Sequence, residues 1–493
     1  MFSITLPITV PAYSRSKYER AFRALSKIHN AVVSYAIGRM IVLNQNKEYL
    51  ELKKQCAKTG PTPKLTSRMN KIVKDTGLSK SSLEKFAKKI GARHNTLLSS
   101  QQVQKEVSHV WAGVEKVLYS NGKKLNYKRN FDFDTIPGKS NKNGACFTPK
   151  DLMFKWIGET YQCTVPKNMD AWYLEAALKN KISYCEIKRM MFPNGWKYYL
   201  IVVLHGESPL IHEHANGGTM GIDMGTSTVA GVSMNNLFLE ILANGVEKYR
   251  EELALLSMRM DASRRATNPN KYNPNGTFKK GNKDKWVFSS NYWKMRCRFK
   301  SLNRQRSAFI KYSHRALANK MIRCAVNFVF EKMNFQGLAR RSKTTKRESK
   351  PKIIVGKNGV IRFTRKYIRK KRFGHSILER APSMFLTILT GKARRYGGEP
   401  ASVETTSFRA SQYDHISDTY AKTGLGQRFK QIGESTVQRD LYSAFLLLNT
   451  DASLKFADRE RCDAGFANFV KLQNEALTKM KTSGISRKSC FGF

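Results

Sequence analysis

The stretch TMGIDMGTSTVAGVSMNNLFLEILA, residues 219–243, decides the architecture. After the Gly217-Gly218 break it holds three apolar runs of strand length, TMGIDMG, VAGVSM and LFLEILA. Such runs, short and bounded by turn residues, predict three successive strands that open a new domain. The first carries Asp223 at its end, where a buried strand meets the surface. A strand-end acid taken alone is ordinarily solvated, so Asp223 gains meaning only from what surrounds it.

Upstream, CEIKRMMF (185–192), the turn Pro193-Asn194-Gly195 and WKYYLIVVL (196–204) predict a β-hairpin. Pro137, Gly138 and Gly144 punctuate the chain before it, so residues 126–210 are expected to be mainly β. Residues 15–125 are expected to be helical. Tyr18, Phe22, Leu25, Ile28, Val32, Ala36 and Met40 recur at helical spacing, as do Val103, Val107, Val110, Val114 and Val117. Ser81 with Glu84 predicts a capping box, and residues 1–14 predict a short first strand. Tyr198–Leu204 is the strongest apolar run and falls far short of the ~20 residues a spanning helix needs. The opening MFSITLPITVPAYS has no positive residue before Arg15, unlike a secretory signal. A cytoplasmic protein without a membrane partner is expected.

Downstream, residues 246–266 and about 290–322 are long, charged and helix-compatible, the second rich in Lys and Arg. VNFVFE ends at Glu331, and Asp440 opens the helix-like RDLYSAFLLLN. Between Arg340 and Arg372 there are fifteen Lys and Arg against Glu348 alone, a loop or adaptable hairpin. The whole chain of 493 residues carries 88 Lys and Arg against 37 Asp and Glu, a net charge of +51. A compact fold with that charge repels itself unless a polyanion neutralises it, and nucleic acid is the obvious polyanion. The eight cysteines contain no Cys-x-x-Cys pair, which points away from a disulfide framework or a closed zinc site.

GIDMGTSTVAG, NFVFEKMNF and VQRDLYSAF resemble, in order and separation, the three RuvC motifs of transposon-encoded TnpB nucleases and compact type V CRISPR effectors. The resemblance extends to YYLIVVLHGESP and SRRATNPNKYN, and so covers most of residues 130–450. It implies an α+β multi-domain protein. A wedge-domain first strand (1–14) precedes a helical recognition domain (15–125) and a β-barrel wedge domain (126–210). An RNase H-like RuvC α/β nuclease follows over 211–404, then a nucleic-acid-loading insertion (405–436), RuvC motif III (437–470) and a tail (471–493). Asp223, Glu331 and Asp440 would hold two Mg²⁺ ions for phosphodiester hydrolysis. A guide RNA, from a CRISPR array or a transposon end, would pair with a double-stranded DNA target beside a short flanking motif read by the protein, with the protein a monomer or a dimer on one RNA. Asp458 and Asp463 in ADRERCDAGFAN compete for the role of third acid, without the RDLYSA context.

The family commonly carries a four-cysteine zinc ribbon between its second and third motifs, and this chain has no cysteine there. Asp414, Ser417, Lys430 and Ile432 stand near the positions of the thiolates. Asp414, His415 and Asp418 form a poor zinc set, expected to be solvated, and His212 and His214 are read as part of a polar linker. GIDMGTSTVAG alone also resembles the phosphate loop of actin-like ATPases, which have no reason to carry +51. A nuclease-silent RNA-guided DNA-binding repressor and a guide-independent basic RNA-binding protein also fit the charge, and both compete with cleavage.

Overall fold

The computed structural model describes residues 1–120, 122–209, 217–274, 276–339, 352–355, 361–364, 373–422, 424, 426–484 and 488–493. His212, His214 and most of the basic stretch 340–372 lie outside the described residues. The chain divides into two compact units, Met1–Leu210 and Ile211–Phe493. No described helix is long and apolar enough to cross a membrane.

In the first unit, strand β1 (Phe2–Pro7) leads into helices α1 (Ala12–Gln45), α2 (Lys47–Thr59), α3 (Pro63–Asp75), α4 (Lys80–Gly91) and α5 (Ser100–Tyr119). The stripe Tyr18, Phe22, Leu25, Ile28, Val32 and Ala36 is buried along α1, as its spacing predicts. Helix α4 is capped by Ser79 rather than Ser81: the Ser79 side chain accepts from the Ser82 amide at 3.1 Å. Ser79 has left helical geometry at φ −133°, whereas Ser81 already lies inside the helix.

Beyond α5 come β2 (Thr135–Ile136), β3 (Ala145–Thr148), β4 (Met153–Trp156), β5 (Glu159–Gln162), α6 (Ala171–Leu178), β6 (Ile182–Phe192) and β7 (Gly195–Leu204). The β6–β7 hairpin forms as predicted, and the sheet order is β1-β7-β6-β2, with β3-β4-β5 a separate three-stranded sheet. Tyr198, Leu200, Val202 and Leu204 alternate inward along β7 and share one apolar core with the α1 stripe. Helical and β-rich stretches therefore fold around common apolar contacts. Arg189 of β6 is buried there between the rings of Phe22 and Trp196, at 4.4 and 4.3 Å, and donates to Glu19 at 2.9 Å.

The second unit is built on a five-stranded sheet. Strands β8 (Thr219–Met224), β9 (Thr228–Val232) and β10 (Leu237–Ile241) are the three predicted from the opening stretch. Helices α7 (Arg250–Thr267) and α8 (Ser290–Ile322) follow, then β11 (Asn327–Glu331), α9 (Phe335–Ala339), the paired strands β12 (Lys352–Val355) and β13 (Ile361–Thr364), α10 (Gly374–Arg380), α11 (Pro382–Arg395) and β14 (Ala401–Val403). The sheet order is β10-β9-β8-β11-β14, antiparallel among β8, β9 and β10 and parallel from β8 through β11 to β14. The rest of the unit comprises α12 (Thr405–Phe408), the hairpins β15–β16 (Tyr413–Asp414, Thr419–Tyr420) and β17–β18 (Phe429–Ile432, Ser435–Gln438), α13 (Arg439–Leu448), α14 (Arg459–Thr482) and α15 (Lys488–Phe491).

Both faces of this sheet are covered, which explains why β8 and β9 are apolar without alternation. Met220, Ile222 and Met224 pack with α8 and α11 through Met321, Phe385 and Leu389. The opposite face meets α13 and α14 through Leu441, Phe445 and Phe469.

Candidate active site

Period-two alternation places Gly221 and Asp223 of β8 on the face away from Met220, Ile222 and Met224, toward α13. At Gly221 strand and helix approach backbone to backbone: a Cβ there would lie 2.0 Å from the Ala444 carbonyl oxygen and 2.3 Å from the Leu448 amide. Only glycine permits that contact. Two strand residues advance about 7 Å and four helix residues about 6 Å. Moving from Gly221 to Asp223 therefore matches moving from Ala444 back to Asp440 in the first turn of α13. On the neighbouring strand, Phe330 pairs with Ile222, so the next residue, Glu331, falls level with Asp223.

The electrostatics agree with this convergence. The Asp223 carboxyl is pushed well above the usual carboxylate range, first by burial, then by the negative charges of Asp440 and Glu331, with Arg439 and Arg428 acting in the opposite sense. Burial also raises Glu331, partly offset by the Ala410 amide, which donates to its Oε1 at 3.1 Å. Asp440 is held by cations: Arg428 donates to Oδ2 at 3.1 Å and Arg439 to Oδ1 at 3.0 Å. Its helix is capped by Gln438, whose side chain accepts from the Leu441 amide at 2.8 Å, and a carboxylate in a first helical turn is favoured by the helix dipole. All three carboxylates supply hard oxygen donors. Among the described residues, no three Asp, Glu, His or Cys side chains stand close enough together to hold a metal ion.

The competing acids lie elsewhere. Asp458 caps α14 by accepting from the Arg461 amide at 3.1 Å. Asp463 is half-exposed, 3.7 Å from His415 Nε2, and is not among the leading charges that act on Asp223.

The cysteine-free stretch is a packed pair of hairpins. His415 is fully buried rather than solvated as expected: Nδ1 lies 2.6 Å from the Tyr442 hydroxyl and the ring packs on Phe466 at 4.8 Å. The neighbouring aromatic side chains of α13 and α14, which the local sequence does not reveal, account for the difference. Asp414 accepts from the Ile416 amide at 3.0 Å, Asp418 accepts from the Tyr413 hydroxyl at 2.9 Å, and Lys430 donates to the Tyr413 carbonyl at 3.2 Å. At the four thiolate-like positions, Ile432 contributes core packing and Asp414, Ser417 and Lys430 local hydrogen bonds.

Arg428 and Arg439 are the site residues that sequence reasoning missed. Each follows a glutamine, in Gln427-Arg428 and Gln438-Arg439-Asp440, and that repeated pair beside an acid was the available signal.

No protein-family model and no curated protein matches the chain. Among solved structures, it is similar to a protein chain in a Cas12f1–sgRNA–target DNA complex, over 90% of this chain and 84% of that one, at 10% identity and a TM-score of 0.48. It is also similar to a chain in a CRISPR-Cas12f ternary complex, over 90% and 82%, at 13% identity and a TM-score of 0.27.

Proposed function

We propose that this protein is an RNA-guided DNA endonuclease of the TnpB and compact type V effector kind, with the five-stranded sheet as its RNase H-like core. The observation that carries the proposal is the approach of β8, β11 and α13 that brings Asp223, Glu331 and Asp440 near one another, with Asp223 raised first by burial and then by the charges of the other two. A structural core gains nothing from like charges crowded in a partly buried place. A site for divalent cations does, because hard cations offset the repulsion.

Two Mg²⁺ ions bound there would supply activated water and stabilisation of the leaving oxygen in phosphodiester hydrolysis. The chain's own groups prepare the place. The Ala410 amide orients Glu331, Gln438 fixes the start of α13, and Arg428 and Arg439 hold the Asp440 carboxylate while supplying positive charge near a scissile phosphate. The net charge of +51 suits a chain that tracks guide and target backbones, with sequence choice left to base pairing.

A nuclease-silent RNA-guided DNA-binding repressor is the second reading, and the engagement of both Asp440 oxygens by Arg428 and Arg439 favours it. Purified protein with its co-purified RNA and Mg²⁺, given DNA matching that RNA, separates the two. Cleavage by the native complex, reduced about a thousandfold or more in Asp223→Ala with DNA binding retained, is expected from loss of metal-assisted charge stabilisation. Intact DNA that the native complex nonetheless binds through its RNA would establish the repressor instead.

A further inference from the structure

The chain between α7 and α8 builds an aromatic surface outside the acid site. Tyr272 and Phe278 pair across an antiparallel bridge with ring centroids 4.9 Å apart, and Phe278 meets Trp286 at 5.8 Å. Trp286 lies parallel to Phe288 at 6.3 Å, and Phe288 stacks on Tyr292 at 4.5 Å and meets Trp293 edge-on at 5.7 Å. Cations are threaded through the rings: Arg265 lies 4.7 Å from the Tyr272 centroid, and Lys271 and Arg264 lie 4.9 and 5.6 Å from that of Trp286.

This surface is fixed in place. Asn268 clamps Val287 from both sides, its Nδ2 donating to the carbonyl at 2.7 Å and its Oδ1 accepting from the amide at 2.8 Å. The buried Lys271 donates to Asn282 at 3.0 Å. Rings that served only to pin the loop would be hidden by it. Instead Phe278, Trp286 and Trp293 remain 52%, 39% and 43% exposed. Between residues 279 and 298 there are seven Lys and Arg against Asp284 alone.

We infer that the exposed rings of Phe278, Trp286 and Trp293 form a stacking platform for the unpaired bases of single-stranded DNA, whose phosphates are held by the surrounding cations. Every base offers a π-face to an aromatic ring, and the strand's negative charge complements the basic rim. Rigid exposed rings keep little conformational freedom to lose on binding. DNA is chosen over RNA because the platform belongs to the unit that carries the three acids, and that choice rests on the endonuclease proposal.

The test uses the full-length Asp223→Ala protein with its co-purified RNA, so that cleavage plays no part. Binding of a fluorescein-labelled oligodeoxythymidine of about 20 nucleotides is followed by anisotropy near 0.5 M NaCl, where backbone attraction is largely screened. Combined Phe278→Ala, Trp286→Ala and Trp293→Ala substitution is expected to raise Kd about tenfold or more, leaving binding of an abasic strand of equal length unchanged. Trp293→Ala alone is expected to show part of the loss and Trp293→Phe to restore it, with unchanged thermal melting excluding a folding defect. Equal Kd for native and triple-substituted proteins, or an equal loss on the abasic strand, would overturn the platform. Tighter, equally ring-dependent binding of oligouridine would overturn its assignment to DNA. Because no cleavage is measured, failure here leaves the endonuclease proposal standing, and a non-cutting native complex leaves the platform testable.

Discussion

Glu106 in the helical region is buried and Asp223 on the sheet is partly buried, and the charges beside them shift the two carboxyls in opposite directions. Glu106, 2% exposed, has its two oxygens 2.6 Å from His29 Nδ1 and 3.1 Å from His109 Nδ1. Burial alone would raise its carboxyl, but hydrogen bonds from His109 and His29 more than offset this and hold it below the ordinary range. Asp223 moves the other way: burial raises it first, Asp440 and Glu331 raise it further, and Arg439 and Arg428 offset only part of this. Burial by itself does not mark a functional carboxylate. At Glu106 the neighbours are donors that favour the charged carboxylate, whereas Asp223 has two further acids beside it that disfavour it.

The contrast is broken most severely by Gly221→Val, which drives a side chain into the Ala444 carbonyl oxygen and separates the strand of Asp223 from the helix of Asp440. A loss of about 3 kcal/mol or more is expected, seen as early protease cleavage within residues 217–493, while Glu106 and its histidines are untouched. Next comes Glu106→Ala, which removes the acceptor from two histidines, one of them buried. It is expected to cost about 3 kcal/mol in urea unfolding.

A smaller effect of opposite sign is expected at the other acid. Asp223→Asn removes a carboxyl whose charged form burial and the neighbouring acids disfavour, and should stabilise the protein by about 1 kcal/mol in magnesium-free buffer. A destabilisation there would erase the distinction between the two carboxylates. The smallest effect lies in the pH dependence. Because the folded-state value of Glu106 is depressed, its contribution is complete above the unfolded carboxylate range near ~4.3 and is lost as pH falls through the folded value. Unfolding measured below about pH 4.5 should therefore be steeper with pH in the native protein than in Glu106→Gln.

The sequence made one side of this comparison far more visible than the other. Asp223, Glu331 and Asp440 each sit at the end of an apolar element or the start of one, so their placement followed from where β8, β11 and α13 begin and end. The β6–β7 hairpin and α8 were legible for the same reason: their periodicity is local. Glu106 lies one residue before Val107 of the α5 stripe, and its partner His29 is 77 residues away, so nothing local announces the pair. The grip of Arg428 on Asp440 depends on β17 pairing with β18, which brings residues 12 apart into contact. The burial of His415 depends on Phe466, in a helix that packs back onto the hairpin. Ser79, Ser81 and Ser82 differ only in where the backbone leaves helical geometry, which side-chain chemistry does not encode.

Whether the three carboxylates await a cation is tested most directly by thermal melting of the native protein and Asp223→Asn, each with and without millimolar Mg²⁺. Binding to the folded state alone stabilises it by mass action. Mg²⁺ should raise the melting temperature of the native protein and leave that of Asp223→Asn nearly unchanged, so that the variant is the more stable without the ion and loses that advantage with it. An equal response of both proteins to Mg²⁺, or none in either, would contradict the assignment of Asp223, Glu331 and Asp440 as a metal site.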